Sequence, residues 1–288
     1  MASKVWLITG CSSPQGFGTA LAEELLTRGQ KVIATGRNRS SPVLGALKEK
    51  GASVLALDVT SPFHQIRDTI EEANKIYGGI GFLINNAGFN QTGTIEEMNL
   101  DKIEAQFQTN VFGVIKVIKS VLPQMRERRS GCIVNISSTV AWQGGPTMGA
   151  YMGSKAALSQ LSEALAAEVA ELGIKVCCIE PGAYRSGLLQ ADKIEKSKQG
   201  EIRIRDYDAT ASRQLENIIS MVDGNQPGDP AKGARVIVDV LLDKWNKGIP
   251  LRLVIGKDGH DAVKAKLDQV SANLKDWEGV ATATDFGP

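Results

Sequence analysis

Seven short apolar runs punctuate the 288-residue chain, and a segment of helical length or longer separates each from the next. They read "KVWLIT", "KVIATG", "SVLALD", "IGFLIN", "GCIVNIS", "IKVCCIE" and "LRLVIG". A strand apolar on both faces is buried on both faces, which is the condition of parallel sheets covered by helices. Strand–helix–strand repetition with right-handed crossovers then leaves one architecture, an α/β doubly wound, mostly parallel sheet of seven strands with helices on both faces. We therefore expect a single domain over 1–288. The polar stretch 187–229, with "EKSKQGEIRIRD" and "DGNQPGDP", breaks the rhythm and is expected to cover the open end of the sheet.

Local signals place the helices. The first is expected over about Phe17 to Arg28 and a short second one up to Lys50. Ser61 followed by Pro62 reads as an N-cap with proline in the first turn of a helix to Tyr77. One long helix is expected from Leu100 to Arg129 and another from near Tyr151 to Gly173. After Pro230 a helix should run to about Trp245, and "HDAVKAKLDQVSANLKDW" should close the chain. Lysine and arginine number 33 against 32 acids, so no global field draws nucleic acid or an acidic membrane. No apolar run approaches the roughly 20 residues that span a bilayer. The chain enters its first strand almost at once, which leaves no room for a signal peptide, and a cytoplasmic location is expected. Cys11, Cys132, Cys177 and Cys178 lack metal-binding spacing and read as buried, reduced thiols. His64 and His260 read as surface residues.

Chemistry concentrates after the strands. "TGCSSPQGFG" sits between strand and helix, with Gly10, Gly16 and Gly18 allowing a sharp turn and close approach to a phosphate. Ser12 and Ser13 add hydroxyls. Gly36 and Arg37 end the second strand, where an arginine suits the 2′-phosphate of NADP; Arg39 could share that task. Asp58 either accepts from an adenine amino group or caps the next helix. Asn85 and Asn86 either pair orphan backbone or meet a cofactor, and Ala87 and Gly88 are small enough for one to lie against. Tyr151 and Lys155 are one helical turn apart, and an ammonium near a phenol should bring its pKa down from about 10. Ser138 ends a strand upstream, where its hydroxyl could hold a carbonyl oxygen.

In this order, "TGCSSPQGFG", "DVT", "NNAG", "TNVFG", "NISS", "YMGSK" and "EPGAYRS" resemble the short-chain dehydrogenase/reductase family, in a subgroup labelled retinol- or hydroxysteroid-dehydrogenase-like. The resemblance implies a Rossmann-type sheet and an NADP(H)-dependent oxidoreductase with a site of Ser138, Tyr151, Lys155 and Asn110. Ser138 matches the catalytic serine and Tyr151 the proton donor and acceptor. Lys155 matches the lysine that binds the nicotinamide ribose, and Asn110 the asparagine supporting a water relay. Pro181, Gly182 and Ser186 match the segment at the nicotinamide end, and Phe17 and Val59 fall along the cofactor path. Pro14 and Gln15 stand as an insertion in the glycine loop that should alter its outer lip alone.

The implied reaction is hydride exchange with a ketone, aldehyde or secondary alcohol. Two rival readings stay open: a pocket that steers a reactive intermediate through cyclisation or dehydration, and a non-catalytic NADP(H) sensor. The expected substrate is an apolar small-molecule carbonyl or alcohol, bulky ones included. Trp142, Gly144, Met148, Tyr184, Leu188, Leu189 and Tyr207 are its lining candidates, with ordinary packing as the alternative. Family members pair two long helices across copies, so a homodimer or homotetramer is expected.

Overall fold

Alternation along each strand builds the layers. In the computed structural model, described over residues 4–188, 202–222 and 224–286, β1 (Val5–Ile8) sends Trp6 and Ile8 to one face and Leu7 to the other. The remaining strands are β2 (Lys31–Gly36), β3 (Ser53–Ala56), β4 (Phe82–Asn85), β5 (Gly131–Ile136), β6 (Ile174–Pro181) and β7 (Arg252–Ile255). All pair in parallel in the order β3-β2-β1-β4-β5-β6-β7. The order in which strands are added switches sides between β1 and β4, which opens a crevice at the C-terminal ends of those strands.

Two apolar layers result. On one face α1 (Phe17–Thr27), α2 (Pro42–Glu49) and a helix at Pro230–Leu241 place Leu21, Leu25, Leu44 and Ile237 against Trp6, Ile8 and Val134. On the other, α3 (Phe63–Tyr77), α5 (Val114–Glu127) and α6 (Gly149–Val169) place Ile70, Val117, Val121 and Leu158 against Leu7, Leu83 and Ile133. Each such side chain contributes about 1.5–3 kcal/mol by leaving water.

Several boundaries differ from the expected ones. The long helix is α4 (Leu100–Phe107), then one π-helical turn at Gln108–Gly113, then α5. Gly113 lies so close to Val59 that a Cβ there would stand 2.8 Å from the Val59 carbonyl oxygen. Ser61 is not the N-cap of α3; extended Pro62 holds that position and no side chain caps the helix. Two further helices are α7 (Ala211–Val222) and α8 (Pro230–Leu241), the latter capped by the Asp229 carboxylate, which accepts from Ala231 N–H at 2.8 Å. α8 stops before the expected Trp245 because Asp243 and Asn246 take left-handed φ of 55° and 53°. The last helix, α9 (Lys257–Ala281), begins earlier and runs further than expected.

Among the described residues no helix is long and apolar enough to cross a membrane, and no cluster of three His, Cys, Asp or Glu gathers as a metal would need. All four cysteines are buried free thiols, and burial pushes Cys11 and Cys132 up to about 12. His64 and His260 are exposed.

Candidate active site

The glycine loop is braced from three sides. Gly10 takes φ +75°, and a Cβ there would lie 2.7 Å from the Ala87 Cα. A Cβ on Gly18 would lie 2.5 Å from the Asn86 amide nitrogen, which donates to the Thr9 and Gly10 carbonyls at 2.9 and 3.1 Å. Asn86 is thus a strut between the β1 and β4 ends. The Pro14–Gln15 insertion closes on itself: Gly16 N–H donates to the Ser13 carbonyl at 3.0 Å, and the Thr19 hydroxyl donates to the same oxygen at 2.7 Å. α1 then starts with no side-chain cap, so its first-turn N–H groups and positive dipole end suit an anion.

Gly36 leaves room for the Ser12 hydroxyl, which stands where a Cβ would be. Arg37 and Arg39 follow, both exposed. Partial burial opposes the Asp58 carboxylate, but hydrogen bonds from Thr60 and the charges of Arg37 and Lys116 hold its pKa below the ordinary value. Asp58 therefore closes a turn onto Thr60.

At the C-terminal end of β5, Ser138 donates weakly to the Pro181 carbonyl at 3.4 Å. Tyr151 and Lys155 share the inner face of α6, with exposures of 6% and 5%. The Lys155 Nζ donates to the Ile136 carbonyl at 2.7 Å and stands 5.8 Å from the Tyr151 ring centroid. The expected lowering of the phenol does not appear. Burial pushes Tyr151 up to about 12, with a Ser138 hydrogen bond acting the other way, and burial lowers Lys155 to about 8. Desolvation outweighs pair attraction because both groups lie in the same dry pocket. Tyr151 is consequently a phenol, able to donate, at neutral pH.

Asn110 projects from the π-helical turn and is fully buried. Its amide donates to the Phe89 carbonyl at 3.1 Å and the Ser154 hydroxyl at 3.0 Å, and its oxygen accepts from Phe89 N–H at 3.2 Å. Gly88 keeps a gap here: a Cβ on it would lie 3.1 Å from the Asn110 oxygen and 3.7 Å from the Lys155 Nζ. Asn110, Gly88 and Lys155 are thus brought together, beside Tyr151 and Ser138.

Along the exit from β6, Pro181 also accepts from the Thr139 hydroxyl at 3.2 Å, and Gly182 packs on the Asp258 carboxylate where a Cβ would collide. Ser186 N–H donates to the Tyr184 carbonyl at 2.7 Å. The Phe17 ring is buried against Tyr184, centroids 4.9 Å apart, so its backbone rather than its ring is free to meet a cofactor. Val59 is buried beneath the π-helical turn.

Sequence reading missed a buried polar chain behind this site. Glu180, wholly inaccessible, accepts from Ser159 and Trp142 Nε1, both at 2.9 Å, and pairs with Arg252 on β7. Ser159 meets the Ser137 hydroxyl at 2.9 Å, which donates to the Lys155 carbonyl at 3.0 Å. An acid inside the apolar run "IKVCCIE" was the available signal. Also missed was Glu97, where burial is outweighed by the Ile204 N–H and the Arg213 guanidinium, which keep the carboxyl below its ordinary range. That contact and the Tyr207–Glu96 hydrogen bond of 2.7 Å tie the covering segment to the loop after β4. Trp142 and Gly144 line a cavity of about 360 Å³ whose walls do not include Ser138, Tyr151 or Lys155. Leu189 lies outside the described residues.

Comparison with known proteins bears on the family and the fold. The family model described as short chain dehydrogenase matches residues 4–221. The oxidoreductase BOA17 of Botryotinia fuckeliana is 33% identical over 284 residues, 98% of this chain and 99% of that one. The crystal structure of a short-chain dehydrogenase from Streptomyces avermitilis superposes with a TM-score of 0.84 at 39% identity, covering 99% of this chain and 100% of that one. A gluconate 5-dehydrogenase from Burkholderia cenocepacia, solved in complex with NADP and tartrate, gives a TM-score of 0.62 at 29% identity over 66% of this chain and 75% of that one.

Proposed function

The chain belongs to the short-chain dehydrogenase family, an oxidoreductase family that binds a nicotinamide cofactor, and from that premise we propose that it exchanges hydride between NADP(H) and a small apolar ketone, aldehyde or secondary alcohol. One observation carries the reading: Ser138, Tyr151 and Lys155 converge in a dry pocket beside a glycine gap. The uncapped start of α1, the glycine loop and the Gly88 gap are the cradle into which a dinucleotide fits.

When bound, the cofactor supplies or accepts the hydride. Everything else falls to the chain. Ser138 holds the substrate oxygen by its hydroxyl, and Tyr151, kept protonated by burial, gives that oxygen its proton in reduction. Lys155, with a pKa near 8, is poised to return a proton to the phenol at mildly alkaline pH, and Asn110 fixes the backbone around it. Residues 202–222 are tied to the loop after β4 by the Glu97–Arg213 ion pair, and on this reading they limit water at the site.

Preference for NADP rests on Arg37, beside a Gly36 that carries no carboxylate to meet ribose hydroxyls. Consumption of NADPH or NADH against a panel of ketones and aldehydes tests the reading; no turnover with any of them would refute it. Arg37→Ala should raise the KM for NADPH about 10-fold or more while leaving that for NADH nearly unchanged, since charge-assisted contacts contribute about 1.5–3 kcal/mol. Equal effects on both cofactors would remove Arg37 from this role.

A further inference from the structure

The last helix is anchored at one end and bare at the other. Its base is fixed: Ala183 N–H donates to the Asp258 carboxylate at 2.7 Å, Gly259 packs on Thr139 and Gly182, and Val263 is buried. From Leu267 through Phe286 every residue is exposed. An unsupported helical arm of this length is marginal in water. Yet its sequence is not polar all round. Val263, Leu267, Val270, Leu274 and Trp277 follow one another at spacings of four, three, four and three, the seam of a two-helix coil. The last four are 52%, 42%, 68% and 59% exposed.

We propose that this arm lies antiparallel on the same arm of a second copy of the chain. In that lap Leu267 faces Trp277 and Val270 faces Leu274, so one seam completes the other. The flanks agree. Lys264 and Glu278 stand two heptads apart on the same side of the seam, and the antiparallel arrangement sets each lysine against the other copy's glutamate. A parallel pair would set Lys264 and Glu278 against Gly259 and Asn273 of the other copy and leave both charges without a partner.

A second feature receives the tip. At the base of the arm a groove of about 310 Å³ is walled by Trp142, Ala156, Arg252, Leu267 and Val270. The same lap brings the second copy's Trp277 to this groove, an aromatic anchor in a recess of the kind that dominates interface energy. The exposed seam amounts to roughly 1,000 Å² over both copies, and the groove carries it past the lower bound of a specific interface. A lipid surface fits less well, because the tip carries Asp276, Glu278 and Asp285, and interfacial helices favour lysine and arginine. This contact is separate from the family's pairing of the helices that follow β4 and β5.

Sedimentation velocity on the full chain at micromolar concentration tests the arrangement. Leu274→Asp with Trp277→Asp should halve the assembly mass, and thermal melting should show the fold retained. Lys264→Glu alone, or Glu278→Lys alone, should weaken association about 10-fold, and the two together should restore it. With Lys264→Cys and Glu278→Cys, a short bismaleimide should link two chains. A monomeric wild type would overturn the proposal. So would an unchanged mass in the Asp variant, restoration failing in the charge swap, or cross-linking with Lys264→Cys alone. Binding of monomeric wild type to phosphatidylserine–phosphatidylcholine vesicles would reassign the arm to a membrane.

Discussion

Two helices of similar length, α6 with 21 residues and α9 with 25, meet opposite fates in this fold. α6 buries Tyr151, Ser154, Lys155, Ser159 and Ser162 along one face. Every polar group on that face finds a partner within the chain: Asn110 for Ser154, the Ile136 carbonyl for Lys155, Glu180 for Ser159, and Asn135 for Ser162 at 2.8 Å. α9 buries only Gly259 and Val263, and its remaining seam is apolar and uncovered. The difference is instructive. A buried polar face demands prearranged partners and so can hold reacting groups in place, whereas an apolar seam demands only another seam. The first suits the proposed chemistry and the second the proposed association.

Perturbations along α6 should therefore be costly and along α9 cheap. The largest effect is expected at Tyr151→Phe, which should lower turnover about 10² to 10⁴-fold with cofactor affinity nearly kept; wild-type turnover in that variant would end the assignment of the phenol. Next is Glu180→Ala, which removes the buried carboxylate that Arg252, Ser159 and Trp142 share behind α6. Breaking a buried pair costs about 3–5 kcal/mol, measurable as a lowered urea midpoint, and a change below about 1 kcal/mol would mean that the polar chain does not hold α6.

Lys155 offers a pH test of the same face. Its folded pKa, about 8, lies below the ordinary 10.5, so the unfolded chain binds more protons between those values and this group's penalty fades as pH rises through them. Wild type should gain about 3 kcal/mol on Lys155→Met between pH 8 and 10.5. A stability difference independent of pH would place the ammonium in water. The smallest contrast pairs two serines. Ser162→Ala leaves the buried Asn135 amide unsatisfied and should cost about 1–3 kcal/mol, while Ser271→Ala on exposed α9 should stay within about 0.5 kcal/mol. Similar losses at both would erase the distinction between the helices.

Much of the frame was readable in the chain. Runs such as "SVLALD" and "GCIVNIS" read as strands covered on both sides, and the helix expected after Pro230 is α8, whose Asp229 cap the structure adds. Ser138, Tyr151 and Lys155 were singled out by type and spacing and Asn110 by the resemblance, and the fold brings the four together. The π-helical turn escaped notice because "FQTNVFGVIKVIKSVL" keeps an unbroken helical period; close packing of Gly113 on Val59 marks the turn. Glu180 escaped because its partner Arg252 lies 72 residues away.

The sequence by itself determined the sheet, its covering helices and where the candidate site residues fall along them, because hydrophobic period and glycine placement act locally along the chain. Only the tertiary structure decided the protonation of those side chains and which helix was left uncovered. Desolvation and burial belong to the whole packed volume: the dryness that pushes Tyr151 up and Lys155 down, like the exposure of Leu274 and Trp277, depends on neighbours that no local window contains.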